Sequence, residues 1–553
     1  MSLTCLSADK GGVFKEVNGP TFKPKKTDRS YSYAGALKIN DNYYVFGRNY
    51  RHNYGLGGYR TVPADIKIYK LDGKMNVKDV TTIEAEFYNK YVNSFKMVKL
   101  GEHLCAFFYF NNRKSKRQVF FAQLFNPKSF KPIGNPIKLA ETMITKKDMK
   151  SGCFFDVDVT DDDLKLMVTM DRTNNTLSKR ERKAAEQMKN HSLTYWLFNN
   201  ELKQIGEGKN IKLGKGQTEI IDQSIDKKGN ICLLGFERKI SDKNAKKREK
   251  ASKPKDKKKS KNDDDEEEEE EEKTDENVNK LVMKIIHPDG TFKDLVFAEN
   301  TDFYSARLIL NNNTGNVAVV GLVTSGKYGA AGIFTQQVNP ETFEILAERK
   351  EMFGTEFTAE MDAVKPETKK KKGKEKNSDK PEKKKRKSKR DYVPDLVKIG
   401  DVFYNDSNEL YVTCQKFYIY VEVHTTTTNG RTTTTYVTHY VYNDIYTFKI
   451  DQEGKIVNFD IVFYYLNRTS PIPRAFSTLY DDGSLYLITR QAGARIKLEN
   501  SSTSLTEFKN SKEYSRSRYL INDFIRVSNH ELVHILGSRR KMVFSSIAIN
   551  DKR

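Results

Sequence analysis

One unit recurs along the chain: an apolar run of strand length, a short Asn/Asp/Gly turn, a second apolar run, a variable loop, a third run, another turn and a fourth run. The first turn opens at Asn40, Gly101, Thr160, Asp226, Asn311, Asn405, Asp481 and Ser528, and apolar segments such as YYVFG, LCAFFYF, VAVVGL and LYLIT follow it. The second turn recurs at Asp72-Gly73, Asn126-Pro127, Asn199-Asn200, Asp289-Gly290, Asn339-Pro340 and Glu453-Gly454. Asn, Asp and Gly supply the left-handed and side-chain-bonded geometries that tight hairpins need. Runs with period-two alternation at regular spacing predict an all-β chain. Four strands per unit and a period of tens of residues predict a single β-propeller over residues 11–550.

Eight units begin near residues 31, 94, 153, 219, 304, 400, 474 and 520, so eight four-stranded blades are expected, with seven as the alternative count. The last unit shows three strands, over 521–527, 531–537 and 541–549. The N-terminal stretch Gly12–Val17 is a spare strand able to supply the fourth and close the ring.

Two stretches cannot bury enough apolar surface to fold and are expected to be disordered. Residues 238–277 are Lys-rich and then hold ten consecutive acids, Asp263–Glu272. Residues 365–390 hold 15 Lys/Arg against four acids, half of the net charge of +22. If the strands of a unit run outward from an axis, both tight turns lie at one end. The longer insertions at 49–64, 111–117, 172–190, 238–277 and 423–435 then lie at the other, as does the connection 351–399. That long-loop end is the expected binding face, for another protein or for a polyanion.

The stretch 405–460 carries ELYVTCQKFYIYVEV, the Thr-rich hairpin Thr425–Thr428, Asn429-Gly430, Arg431, Thr432–Thr435, and YVTHYVYNDIYTFKIDQEGKI. It resembles an uncharacterised bacterial β-propeller-like family whose members are commonly exported. The resemblance implies a propeller-like fold and export, and no activity.

Several motifs bear on chemistry. His530-Glu531-Leu-Val-His534 matches the zinc-protease pattern, which needs both histidines one helical turn apart. Here the segment aligns with the turn-plus-strand repeat, and residues four apart on a strand are ~13 Å apart. A strand is expected, and no metal. Asp156, Asp158 and Asp161, with Asp162 and Asp163, form an oxygen-rich turn that could hold Ca²⁺, but the glycine and terminal Glu of a calcium loop are missing. Lys383, Lys384, Lys385, Arg386 and Lys387 are candidates for polyanion binding and resemble a nuclear localisation signal, without aromatics between them for base stacking. No phosphate-binding loop, dinucleotide fingerprint or GxSxG occurs, and neither a cofactor nor a catalytic residue is assigned.

The five cysteines are scattered without CxxC spacing, and Cys105, Cys232 and Cys414 lie in apolar runs, so buried thiols are expected. No run of about 18 apolar residues predicts a transmembrane helix. Leu3–Ala8 resembles the tail of a signal peptide. A cytoplasmic location is expected for the chain as it stands, and an exported one if that tail is a remnant. The function expected is a non-catalytic binding or scaffold propeller. The rivals are an enzyme with its site in the central channel and a binder of nucleic acid or anionic surfaces through the basic runs.

Overall fold

The computed structural model describes residues 14–144, 153–171, 191–238, 279–297, 303–353, 396–469, 475–504 and 525–549, less short gaps at 56–57, 88–89, 113, 215–216, 325–329, 406, 429–430, 463–464, 482–483, 490–492, 498–501 and 539–540. Among the described residues the regular structure is β-strand apart from one short 3₁₀ turn, Lys26–Ser30, and no helix is long and apolar enough to cross a membrane. The stretches 239–277 and 365–390, and with them Lys383–Lys387, lie outside the described residues.

The strands form antiparallel sheets that follow one another in chain order. Sheet I is Ser32–Ile39, Asn42–Gly55, Gly58–Leu71 and Val77–Ile83. Sheet II is Asn93–Leu100, His103–Asn112, Arg117–Phe125 and Pro132–Met143. Sheet III is Phe155–Val159, Lys165–Asp171, His191–Asn199 and Gln204–Gly214. Sheet IV is Gln217–Ile225, Ile231–Arg238, Asn279–Ile286 and Phe292–Phe297. Sheet V is Phe303–Leu310, Val317–Thr324, Ala330–Asn339 and Glu344–Met352. Sheet VI is Leu396–Tyr404, Leu410–Thr428, Arg431–Ile450 and Ile456–Val462, with Leu466–Arg468 as an added strand on the third. Sheet VII is Phe476–Asp481, Ser484–Thr489, Gly493–Lys497 and Ser502–Ser504. Sheet VIII takes Ile525–Ser528, Glu531–Ser538 and Lys541–Ile549 from late in the chain, and Phe14–Asn18 as its fourth strand. Phe14 faces Ile549 and Asn18 faces Ser545 in that last pairing, so the spare strand anticipated at 12–17 pairs where expected.

The core is divided among the sheets. Eight clusters of buried side chains each join two sheets: I with II, II with III, III with IV, IV with V, V with VI, VI with VII, VII with VIII, and VIII with I. Cys105, Cys232 and Cys414 are buried in these layers as small apolar groups.

The second turn shows why the sequence folds this way locally. In sheets I, II, III, V and VI its leading Asn or Asp side chain accepts backbone N–H groups two to four residues on. Asn126 Oδ1 takes Lys128 N at 2.8 Å, and Asn199 Oδ1 takes Lys203 N at 2.8 Å. Asn339 Oδ1 takes Glu341 N at 2.9 Å, and Asp451 Oδ1 takes Lys455 N at 2.8 Å. The turn then needs a left-handed residue. Gly290 and Gly454 meet that need at φ 94° and 82°, but Met75, Phe130, Leu202 and Phe343 meet it at 59°, 54°, 61° and 58°. A bulky residue in that region costs about 1–2 kcal/mol. Burying an apolar side chain returns about 1.5–3 kcal/mol. Met75, Phe130 and Leu202 are buried, and Phe343 packs on the cluster joining sheets IV and V. Burial wins, and the turn doubles as a plug.

One segment differs from the sequence expectation: the stretch 49–64, expected as a loop, lies largely within a long hairpin in which Gly55 pairs Gly58. The segment 111–117 is a short connection as expected, with a turn at 114–116 between Asn112 and Arg117, which face each other. The Thr-rich hairpin read from the sequence over 425–435 is present, with Thr428 pairing Arg431. Thr, Tyr and Val, which dominate that hairpin, suit a pleated surface whether or not it is buried.

Candidate functional site

The first strands of neighbouring sheets touch each other: Ser32–Ile39 with Ile525–Ser528, Phe155–Val159 with Gln217–Ile225, Gln217–Ile225 with Phe303–Leu310, and Phe303–Leu310 with Leu396–Tyr404. Six of the eight first strands carry a register shift against the second, at Tyr33/Gly35, Ser94/Met97, Ile220/Asp222, Phe303/Ser305, Ile399/Val402 and Arg526/Ser528. Such bulges bend a strand and re-aim its side chains.

A charged band lies on these strands in sheets II to V. Lys96 Nζ donates to Val157 O at 2.9 Å. Asp222 Oδ2 accepts Leu308 N at 3.0 Å and lies 3.7 Å from Arg307 Nη1. Asp158 stands between: burial pushes its carboxyl up to about 6, Asp156 and Asp222 add to the rise, and Lys96 opposes it. Burial also raises Asp222, against the pull of Arg307 and its backbone bonds. A half-buried carboxyl with such a shift can keep or release a proton near neutrality. Sequence reasoning singled out Asp156 and Asp158 but missed Lys96, Asp222 and Arg307, which belong to three other units and meet only through sheet packing.

Asp156 and Asp158 lie on Phe155–Val159, and their Oδ1 atoms accept the N–H of the next residue, Val157 at 2.8 Å and Val159 at 3.0 Å. Asp161 is exposed in the turn that follows. Asp162 caps that turn: Thr160 Oγ1 donates to it at 2.6 Å, and that bond holds its carboxyl below the usual range despite some burial. Asp163 reaches the neighbouring sheet, 2.7 Å from Lys99 Nζ. Apart from the exposed Asp161, these acids are engaged by backbone N–H groups, by the Thr160 hydroxyl or by lysine. Among the described residues no group of three His, Cys, Asp or Glu is placed to hold a metal ion.

The HExxH residues are split by the strand Glu531–Ser538. His530 sits in the turn before it. Glu531 points to sheet I, where Lys38 Nζ donates to Oε2 at 2.6 Å and Tyr43 Oη donates to Oε1. His534 is buried, and burial holds its imidazole down at about 4. The pattern is shared between a turn, a sheet-to-sheet ion pair and the core.

The two ends of the sheets differ. At the tight-turn end, neighbours are bonded to one another. Tyr44 Oη donates to Pro127 O at 3.0 Å, and Lys165 Nζ donates to Lys227 O at 2.6 Å. His287 Nε2 lies 2.7 Å from Pro340 O, Gln337 Nε2 donates to Gln452 O at 3.1 Å, and Tyr480 N donates to Asn529 O at 2.9 Å. The second-to-third-strand connections leave from the other end, and the hairpin of sheet VI projects there.

No protein-family model and no curated protein matches the chain. Among solved structures it is similar to Sqt1 of Saccharomyces cerevisiae, at 8% identity and TM-score 0.38, over 95% of this chain and 97% of that one. It is similar to the acylaminoacyl peptidase of Pyrococcus horikoshii, at 8% identity and TM-score 0.36, over 93% of this chain and 58% of that one. It is also similar to the β-propeller domain of the Trilobed protease from Pyrococcus furiosus, at 10% identity and TM-score 0.34, over 88% of this chain and 98% of that one. At such scores neither activity nor architecture carries over, and the resemblance seen over 405–460 gains no named relative.

Proposed function

We propose that the chain is one closed propeller of eight blades, sheets I to VIII, that works as a non-catalytic scaffold presenting its long-loop end to another protein. Closure is supported by the eight two-sheet clusters, which link the sheets in a cycle, and by the pairing of Phe14–Asn18 with Lys541–Ile549. The binding role rests on one observation: the tight-turn end spends its polar groups on neighbouring sheets, while the long connections and the projecting hairpin share the opposite end. Lysine-directed cross-linking in extracts of the source cell tests this. Cross-links to the partner are expected in 238–277 and 365–390. Cross-links concentrated on Lys128, Lys228 and Lys455, all near tight turns, would sink the reading. Polyanion binding through Lys383–Lys387 would appear instead as binding that weakens steeply with salt.

A second reading, an enzyme with its site in the central channel, is favoured by Asp158 and its raised carboxyl. A substrate screen in which a turnover is found and Asp158→Asn abolishes it would support this reading over the first.

A further inference from the structure

The second and third strands of sheet VI run on beyond their sheet. Leu396–Tyr404 accompanies the second strand only to Phe417, and Leu466–Arg468 accompanies the third only over Tyr440–Tyr442. Beyond those points the backbone ladder of the described residues joins Ile419–Thr428 to Arg431–Tyr440 and to no third strand. Among the described residues the result is a two-stranded arm with open edges.

Its register sorts the side chains. Ile419, Val421 and Val423 face Tyr440, Thr438 and Tyr436 on one side. That side is apolar and uncharged, with Val421, Val423 and Tyr436 exposed at 45%, 55% and 69%. The other side carries Tyr420 stacked on His439 at 4.5 Å, and Glu422 Oε2 at 3.1 Å from His439 Nε2 and 3.4 Å from His424 Nε2.

Open edges are normally guarded by lysine, proline or a bulge. The outermost strands of sheets I to V and VIII follow that rule, with Lys78, Pro132 and Pro136, Lys209 and Lys212, Lys293, Lys350, and Lys15. Tyr418–Thr428 has no lysine, no proline and no bulge, and consists almost wholly of aromatic and β-branched residues. Such an edge is built to be paired.

We propose that this edge pairs antiparallel with the same strand of a second copy of the chain, about a two-fold axis at Val423. The sequence is self-complementary about that point. Glu422 meets His424 of the other copy, twice by symmetry, and Val421 meets Thr425, Tyr420 meets Thr426, and Ile419 meets Thr427. No like charges face each other, although the chain as a whole carries +22. The two uncharged sides merge into one four-stranded apolar face, an isologous contact. Repulsion between the two basic bodies opposes it, so salt favours association by screening. The proposal is independent of the scaffold reading.

Sedimentation equilibrium of the full chain over a concentration series tests it. A species of twice the chain mass is expected, its share rising with salt. His424→Glu sets Glu against Glu and weakens association about tenfold or more. The double variant Glu422→His, His424→Glu restores the opposite pairing and recovers it. All these side chains are exposed, and unchanged thermal unfolding certifies each variant as folded. A chain that stays monomeric throughout, or association indifferent to His424→Glu, overturns the proposal. Failure of the double variant to recover also overturns it.

Discussion

Glu531 joins the first sheet to the last through two donors, Lys38 and Tyr43. The contact fixes both partners: burial and the Glu531 bond push the Tyr43 phenol up to about 12. Glu531→Leu leaves the buried Tyr43 hydroxyl without its acceptor, and such a loss costs about 1–3 kcal/mol. Denaturant unfolding of this variant should show a lower midpoint at unchanged slope. Asp158 makes a prediction about pH. Its folded carboxyl lies at about 6, above its ordinary 3.8, so the folded state holds a proton that the unfolded state has released. Its contribution to stability is therefore present below pH 3.8 and lost as pH rises through 6. Asp158→Asn keeps the neutral form at every pH. It should be more stable than wild type by up to about 3 kcal/mol above pH 7, with the gain gone near pH 4. Equal pH–stability curves for the two proteins would refute the shift. Neither effect was legible in the sequence. Lys38 and Glu531 are far apart along the chain, and nothing in a Lys or an Asp announces the neighbour it will meet.

At the scale of elements the sequence was more forthcoming. Turns were readable because Asn126, Asn199 and Asn339 act locally, on N–H groups a few residues away. The role of Met75, Phe130, Leu202 and Phe343 was not, because a left-handed apolar residue makes sense only once its pocket exists. The Thr-rich hairpin was readable because Asn429-Gly430 between β-branched runs signals a tight turn, but how far its strands outrun their sheet was not, because that depends on where the flanking strands stop. Because residues 422–426 and 432–436 of the arm's outer half are exposed, that half adds little to the core. Replacing Glu422–Val437 by a two-residue Asn-Gly turn should leave the thermal midpoint within about 4 °C of wild type, the scale of a 1 kcal/mol change. A larger fall would show that the arm covers part of the core.

For the whole molecule the decisive contact is the one between Phe14–Asn18 and Lys541–Ile549. If the sheets form a closed cycle, removing residues 1–18 opens it and bares an edge. Losing several ladder hydrogen bonds, each worth ~1 kcal/mol, then weakens every sheet through the shared clusters. The truncated chain should melt well below wild type. Hydrogen exchange of the full chain should show amides 14–18 protected like those of 541–549. Exchange at the rate of unstructured chain would refute the pairing. The four-stranded unit could be read from sequence because each unit repeats its own turns, and the spare strand because the last unit showed only three. Which sheet packs on which could not.

That same contact sets a timetable for synthesis. Phe14 faces Ile549, so the strand leaves the ribosome more than five hundred residues before its partner. At about 5–20 residues per second, the wait is roughly half a minute to two minutes. Throughout it the apolar layer shared by Tyr43, Val45 and Tyr69 also lacks Val533, Ile535 and Phe544. One side of the first sheet is covered early by the second, and the other stays bare until the last strands are made.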